Sequence, residues 1–354
     1  MNLIEKTVSA IKPASAKARE NARARLMSLT MPQWALGRIM DLAESLAGMA
    51  GDMKFDVARK TIVVMAGDHG VAAEGVSLYP KDVTAQMVAN FIAGGAGVNA
   101  LARVSGARVV VVDMGVDSDL SAMADGVKFI VKKIRKGSSN IASGPAMSRE
   151  EAQAAVTAGI ETALSLADST DVFGTGDMGI GNTTPSSAIV SAITGKSPDE
   201  VTGRGTGIDD AQRRRKVGVV EKALAVNRPN PADGLDVLAK VGGFEIGGLA
   251  GLILGAASLR KPVVVDGFIS TAAALVAKAI CKDAADYMIA AHLSVEPGHK
   301  VMLDNLGLRA HLDLNMRLGE GSGAAIAMCI VEAAHRVLNE VATFESAGVS
   351  RSDK

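Results

Sequence analysis

Hydrophobic residues follow two patterns along the chain, a helical spacing and short unbroken runs. Residues 1–58 show only the helical spacing, for example in "IMDLAESLAGMAG". From residue 61 onward, short runs rich in valine and isoleucine alternate with segments of helical spacing. This alternation predicts βαβ units, and therefore an α/β fold with a parallel sheet.

Six of the short runs are predicted to be strands. They lie in "KTIVVMAGDHG", "RVVVVDMGV", "VKFIVKKI", "DVFGTGDMG", "PVVVDG" and "ADYMIAAHLS". Strand ends are expected at Asp68, Asp113, Phe173, Asp266 and Ala291, each before polar or glycine-rich residues. Because ligands of open α/β sheets bind at the carboxyl ends of strands, these loops should converge on one site.

Capping and breaking residues locate several helix ends. A helix is expected to enter near Pro80 and to break at the glycines of 94–97. Ser148 and Glu151 form a capping box for a later helix. The helical segments at the two chain ends are expected to fold together.

The predicted domain organisation follows from these elements. Residues 1–58 with 320–354 are expected to form a small helical domain, and residues 59–319 a large α/β catalytic domain. Residues 246–259 are an uncharged run of 14 residues, shorter than the roughly 18 needed for a membrane span, and are expected to be a core helix.

Composition narrows the class of protein. With 38 Lys and Arg against 38 Asp and Glu, the chain has no net field that would recruit nucleic acid or a membrane surface. Cys281 and Cys329 are expected to be buried thiols in a reducing compartment. The amino-terminal segment lacks the apolar centre of a secretory signal. A cytoplasmic enzyme acting on small molecules is therefore the expectation.

A glycine-rich segment is the first candidate site. "GTGDMG", residues 174–179, matches the dinucleotide pattern, but the only acidic residues about 20 positions on are Asp199 and Glu200 in a predicted loop. The following "GIGNTTP" places Thr184 as N-cap and Pro185 at the first helical position. Open backbone amides at a helix start suit a phosphate, although a capped helix without a ligand remains the alternative.

Charged side chains supply further candidates. In "RRRK", residues 213–216, four consecutive positions wrap around a helix, so they cannot all face one ligand. Lys216 borders the apolar Val217, Val219 and Val220 and is the best candidate to reach a phosphate. The five histidines show no metal-binding spacing. His69 and His292 follow strands and could lie in the cleft, or be structural.

Glu320 stands between glycines in "RLGEGSG". Ser322 is expected to cap a helix that begins near Ala324. A carboxylate near a helix start is favoured by the helix dipole, but an acid in an apolar, glycine-lined stretch also has the surroundings of a general base. The spacing alone leaves both interpretations open.

Six segments, in this order, resemble the nicotinate-nucleotide–dimethylbenzimidazole phosphoribosyltransferases of cobalamin biosynthesis. They are "AGDHGVAAEGVSLYPKDVTAQMVANFIAGGAGVNALAR", "GDMGIGNTTPSSAI", "GRGTGIDD", "VVDGFISTAAAL", "HLSVEPGH" and "LDLNMRLGEGSGAA". The resemblance implies a homodimer with a Rossmann-like doubly wound sheet and a smaller domain built from both chain ends. It implies no metal or cofactor.

The resemblance also implies an activity and its residues. The family transfers the phosphoribosyl group of nicotinate mononucleotide to a benzimidazole, releasing nicotinate, with Glu320 as the general base. The nucleotide-binding residues carried over are Asp177, Gly179, Asn182, Thr183, Lys216, Ser294, Arg317 and Gly319. Those for the incoming base are Ser77, Leu78, Gln86, Met178 and Leu318. The runner-up functions are an NAD-dependent oxidoreductase and a non-catalytic nucleotide-binding protein.

The sequence departs from the family pattern at three places. Asp177 stands where the family's "GEMGIGNTT" has a glutamate one methylene longer. Leu78 replaces a residue that can be polar, which favours an apolar face toward the incoming ring. Trp34, in "LTMPQWALG", replaces small residues. The choice of base is therefore the least transferable property.

Overall fold

The computed structural model describes residues 1–350. Its strands are β1 (Lys60–Gly67), β2 (Arg108–Gly115), β3 (Phe129–Val131), β4 (Val172–Met178), β5 (Val263–Val265) and β6 (Met288–Ala290). Its helices are α1 (Leu3–Ala10), α2 (Ala16–Leu26), α3 (Arg38–Ala50), α4 (Val83–Ala93), α5 (Gly97–Ser105), α6 (Arg149–Ser165), α7 (Thr183–Thr194), α8 (Pro198–Val201), α9 (Asp210–Asn227), α10 (Gly234–Val241), α11 (Phe244–Ser258), α12 (Phe268–Ile280), α13 (Pro297–Leu306), α14 (Ser322–Glu340) and α15 (Phe344–Ala347).

The six strands form one parallel sheet in the order β3-β2-β1-β4-β5-β6. The order reverses between β1 and β4, which is the topological switch point where doubly wound sheets bind their ligands. The predicted α/β class and the doubly wound parallel sheet are confirmed.

The predicted end of β4 at Phe173 is wrong. The strand continues through the glycine-rich segment to Met178, and Met65 of β1 pairs with Asp177. Gly176 serves close packing here, because a Cβ on it would lie 2.3 Å from the backbone oxygen of Glu320. The pattern predicts a loop because glycine usually marks turns, whereas in this strand glycine lets another backbone approach.

Three local expectations also need correction. Helix α7 begins at Thr183 with Asn182 as N-cap, so Thr184 and Pro185 lie inside its first turn. Helix α4 begins at Val83, three residues after Pro80. Both cysteines are free but half-buried rather than fully buried.

The two chain ends meet through α14. This helix packs against α3, and α2 also contacts both α3 and α14. However, α14 makes equally extensive contacts with α5 and also touches the sheet at β4. The division into two domains stays a prediction, and residues 351–354 of the predicted small domain lie outside the described chain.

A second uncharged stretch is longer than the one at residues 246–259. Residues 83–102 are uncharged, and Val83–Ser105 is long and apolar enough to cross a membrane by length and composition. The structure divides this stretch into α4 and α5, with Gly94 in the left-handed conformation at the end of α4. The stretch therefore forms two shorter helices in this fold and not one long helix.

Helices α6 and α11 cross at very short range, which leads to a stability prediction. A Cβ on Gly159 of α6 would lie 1.9 Å from the backbone oxygen of Gly248 in α11. Since a backbone atom yields less readily than a side chain, Gly159→Ala is expected to lower the free energy of unfolding by about 2–3 kcal/mol. Chemical denaturation measures the change.

Gly218→Ala is the matched control, because Gly218 also lies inside a helix but has no neighbouring atom within 4 Å of an added Cβ. It is expected to stabilise the protein by up to about 1 kcal/mol through helix propensity. Equal denaturation midpoints for the two variants would contradict the close-packing argument.

Candidate active site

A cavity of about 350 Å³ lies at the carboxyl ends of β4, β5 and β6. Its lining combines polar residues with an apolar wall, as expected for a small-molecule site. A second cavity, of about 470 Å³, lies beside α3 and contains none of the predicted site residues. The smaller cavity is therefore the candidate site.

Seven of the eight predicted nucleotide residues line this cavity. They are Asp177, Gly179, Asn182, Thr183, Ser294, Arg317 and Gly319. The eighth, Lys216, lies directly behind the wall, where its Nζ donates to Oγ1 of Thr183 at 2.6 Å. A predicted set spread over 143 positions, from 177 to 319, is thus brought together in one place.

Thr183, Gly205 and Arg317 make one end of the cavity polar. Arg317 donates from Nη1 to the backbone oxygen of Gly205 at 3.3 Å. A Cβ on Gly205 would lie 3.1 Å from Oγ1 of Thr183, the first residue of α7, so the guanidinium lies near the start of that helix. The amides of Asn182 and Thr184 already donate to the backbone oxygens of Gly179 and Gly181, so the guanidinium and the Thr183 hydroxyl are the groups of this end that suit a phosphate.

Lys216 is the buried cation of this end. Only 1% of its surface is exposed, and burial lowers its pKa to about 8 although Glu296 opposes the shift. The apolar residues that follow it on α9 face the core, as the sequence indicated. A bound phosphate would favour the charged form of Lys216.

The middle of the cavity carries buried carboxylates. Oδ2 of Asp177 accepts from Nδ2 of Asn182 at 3.0 Å, while Oδ1 has no hydrogen-bond partner within the described chain. Burial and the carboxylates of Asp266 and Glu245 raise the pKa of Asp177 well above the usual value for aspartate. The shorter side chain still reaches the cavity wall, so Asp177 remains a candidate for nucleotide binding.

Glu320 is presented by an unusual stretch of backbone. Gly319, Glu320 and Gly321 have φ values of 81°, 64° and 95°, so three consecutive residues are left-handed. Glycine adopts this conformation without strain, whereas glutamate does so at a cost of about 1 kcal/mol or more. The glycines around Glu320 therefore satisfy a backbone requirement.

The carboxylate of Glu320 faces the amino terminus of α5. Its Oε2 accepts from the backbone N–H of Val98 at 3.1 Å, and the residue is 7% exposed. Burial raises its pKa, the Val98 hydrogen bond lowers it, and the charge of Asp266 raises it further, with a net upward shift. A carboxylate of raised pKa on a cavity wall can accept a proton from a bound substrate.

Apolar residues form the other end of the cavity. Tyr79, Val83 and Met87 line it together with the predicted Met178 and Leu318. This surface suits the flat face of an aromatic ring.

Three predicted base-pocket residues do not line the cavity. They are Ser77, Leu78 and Gln86, which lie outside its wall, and the side chain of Leu78 is 52% exposed. They belong to the turn before α4 and to α4 itself, so they stand beside Tyr79, Val83 and Met87 rather than among them. Their role stays a prediction.

Sequence reasoning missed several residues of the wall. Glu296, Phe268 and Ile269 line the cavity without having been singled out, although Glu296 stands in the "HLSVEPGH" segment. Of the two candidate histidines, His292 lines the cavity. His69 does not line the cavity but is buried behind Gly179, since a Cβ on that glycine would lie 3.1 Å from Nε2 of His69. The same Nε2 lies 2.7 Å from Oε1 of Glu245.

The two acidic residues that could serve a dinucleotide site, Asp199 and Glu200, lie outside the cavity. Asp199 and Glu200 belong to the short helix α8, and their side chains pair with Arg213 and Lys196 at the surface. Neither lines the cavity. The two acids at the spacing of the dinucleotide pattern therefore lie outside the cavity.

Comparisons with known proteins point to one family. The sequence profile of a family described as phosphoribosyltransferase matches residues 11–349. The nicotinate-nucleotide–dimethylbenzimidazole phosphoribosyltransferase of Syntrophotalea carbinolica is 58% identical over 351 residues, 99% of each chain. That of Desulforudis audaxviator is 56% identical over 353 residues, again 99% of each chain. The crystal structure of the enzyme so named from Thermus thermophilus superposes with a TM-score of 0.89 at 43% identity, covering 96% of this chain and 100% of its own.

Proposed function

Since the chain belongs to the nicotinate-nucleotide–dimethylbenzimidazole phosphoribosyltransferase family, we propose that it acts on the substrates in that name. It transfers the phosphoribosyl group of nicotinate mononucleotide to 5,6-dimethylbenzimidazole or a related base. The products are nicotinate and α-ribazole 5′-phosphate, which serves the assembly of the cobalamin nucleotide loop. The single observation that carries the proposal is Glu320, a buried carboxylate on a wall between a polar and an apolar end.

Glu320 is the general base of the reaction. One ring nitrogen of the benzimidazole attacks the anomeric carbon of the ribose as the bond to nicotinate breaks, and nicotinate leaves with the bonding electrons. The carboxylate takes the N–H proton from the other ring nitrogen, so positive charge does not build up on the ring. Attack opposite the leaving group converts a β-riboside into an α-riboside.

The two ends of the cavity align the reactants. The phosphate binds near Thr183, Lys216 and Arg317, and the incoming ring packs on the apolar wall near Met178 and Leu318. Holding both rings on opposite sides of the ribose contributes to the rate by proximity and orientation. No residue of this scheme calls for a metal or an organic cofactor.

A homodimer in the cytoplasm is part of the proposal. Three apolar residues at or beside the cavity are half or more exposed, Leu78 by 52%, Tyr79 by 54% and Leu318 by 58%. Contact with a second copy of the chain would remove such a surface from water. The substrates are small molecules, and the balanced charge favours neither nucleic acid nor membrane as a partner.

The test of the function is release of nicotinate from nicotinate mononucleotide in the presence of a panel of benzimidazoles, purines and phenols. We expect release that depends on the added base and is fastest with a benzimidazole. Binding of the nucleotide without release under any condition would favour the non-catalytic alternative. Reduction of NAD by a small substrate would favour the oxidoreductase.

A further inference from the structure

The carboxylate of Asp266 is buried at the amino terminus of α14. Its Oδ1 accepts from the backbone N–H of Ala324 at 2.9 Å, and its Oδ2 accepts from that of Gly321 at 3.2 Å. The N-cap of α14 is Gly321, which has no side chain to offer. Ser322, expected to cap this helix, instead donates from Oγ to the oxygen of Gly319. Asp266, which follows β5, thus accepts the backbone hydrogen bonds that an N-cap side chain usually accepts.

These hydrogen bonds hold the same loop that carries Glu320. The loop lies against β4, since a Cβ on Gly176 would meet the backbone oxygen of Glu320, and a Cβ on Gly321 would lie 2.7 Å from Ile62. Asp266, the residue after β5, fixes the loop, and the amide of Val98 in α5 fixes the Glu320 carboxylate. A strained left-handed residue persists only where its surroundings determine its conformation in this way.

Asp266 is itself held in place. Its backbone N–H donates to Oγ1 of Thr175 in β4 at 3.0 Å. The ring of His292 lies beside it, with Nε2 3.8 Å from Oδ1, and neither ring nitrogen has a hydrogen-bond partner within residues 1–350. Asp266 is 1% exposed and does not line the cavity, so it can influence a bound substrate only through its neighbours.

We propose that Asp266 is a positioning residue for Glu320, holding the loop of residues 319–321 so that the general base faces the incoming azole ring. The inference rests on the proposed function of Glu320. In this proposal Asp266 holds the Glu320 loop in place and raises the pKa of Glu320, but does not touch the substrate.

The charge of Asp266 also acts on the base it positions. Burial raises the pKa of Glu320, and the nearby charge of Asp266 adds to that rise. The charged or polar groups that face Glu320 are the carboxyl of Asp266, just after β5, that of Asp177 in β4, and the amides of Gly97 and Val98 in α5. Removing the Asp266 charge should therefore lower the pKa of Glu320 and shift the acid side of the pH profile to lower pH.

Asp113 provides a control in β2, which β1 and β4 separate from β5 in the sheet. It lies in β2, is 0% exposed, and its Oδ1 accepts from the backbone amides of Gly115 and Val116 at 3.0 and 2.9 Å. It thus makes the same kind of carboxylate-to-amide contact as Asp266, and its Oδ2 also pairs with Nζ of Lys133 at 3.1 Å. The loop that it holds does not line the cavity.

The experiment compares Asp266→Asn with Asp113→Asn by steady-state nicotinate release over a pH range. For Asp266→Asn we expect kcat to fall about 10-fold, the KM for nicotinate mononucleotide to change less than about 2-fold, and the acid side of the profile to move to lower pH. Asp113→Asn should leave all three unchanged. In a Glu320→Gln background, Asp266→Asn should cause little further loss, because it acts through Glu320.

The inference is overturned if Asp266→Asn matches Asp113→Asn, or if its loss adds fully to that of Glu320→Gln. Thr175→Val, which removes the hydroxyl that fixes Asp266, should shift kcat in the same direction by a smaller factor and serves if Asp266→Asn does not fold. An inactive wild-type protein would instead reject the proposed function and this inference together.

Discussion

Glu320→Gln is expected to lower kcat for nicotinate release by about 10³-fold, while nicotinate mononucleotide binds as before. Glutamine keeps an oxygen that can accept from Val98, so the loop should hold its place. What is lost is the ability to take the azole proton. Release of nicotinate in the presence of dimethylbenzimidazole measures kcat, and calorimetric titration measures nucleotide affinity.

The pH profile separates a lost base from a disturbed loop. Because the pKa of Glu320 is raised, wild-type activity should fall as the pH drops through a value above that of an ordinary glutamate. The residual activity of Glu320→Gln should lack this dependence. Turnover close to that of the wild type in this variant would remove Glu320 from the role of base.

Lys216→Met is expected to weaken nicotinate mononucleotide binding by about 10²-fold, because a charged hydrogen bond to phosphate is lost. In the wild type, affinity should fall as the pH rises through about 8, where Lys216 loses its proton. The sign follows from the phosphate, which binds the protonated amine more tightly than the neutral one. Titration calorimetry between pH 6.5 and 9.5, a range of about 1.5 units on each side of that pKa, measures both effects.

Arg214→Met is the control for Lys216→Met. Arg214 precedes Lys216 by two positions on α9 but is exposed, so removing its charge should leave the affinity nearly unchanged. A wild-type affinity that stays constant between pH 7 and 9.5, well past a pKa of about 8, would show that Lys216 does not bind the phosphate.

The parallel sheet could be predicted from the sequence because most of its strands are short buried runs between helices, and β1, β5 and β6 are buried along their whole length. The inward direction of Lys216 also followed from local pattern, since apolar positions next to it mark the buried face of α9. The extent of the glycine-rich strand β4 was harder to predict from the sequence. The sequence does not distinguish a glycine inside a strand from a glycine in a turn. The close approach of the Glu320 backbone to Gly176 shows that this glycine serves packing within the strand.

Other parts of the site depend on contacts that no local pattern contains. Asp266 bonds to an amide 55 residues away, and nothing near it in sequence indicates that partner. Tyr79, Val83 and Met87 have the spacing of an ordinary helix start and core face, so a cavity wall and a packed core could not be told apart. The resemblance to a family supplied the residues of the site that spacing could not.

The left-handed backbone at Glu320 has a consequence for engineering this protein. The conformation at position 320 favours glycine or asparagine, but the position carries glutamate. A library selected for thermal stability alone would therefore enrich residues that relieve the backbone and cannot accept a proton, while a library selected for turnover would retain the strained acid. At this one position, the two selections would rank the amino acids in opposite orders.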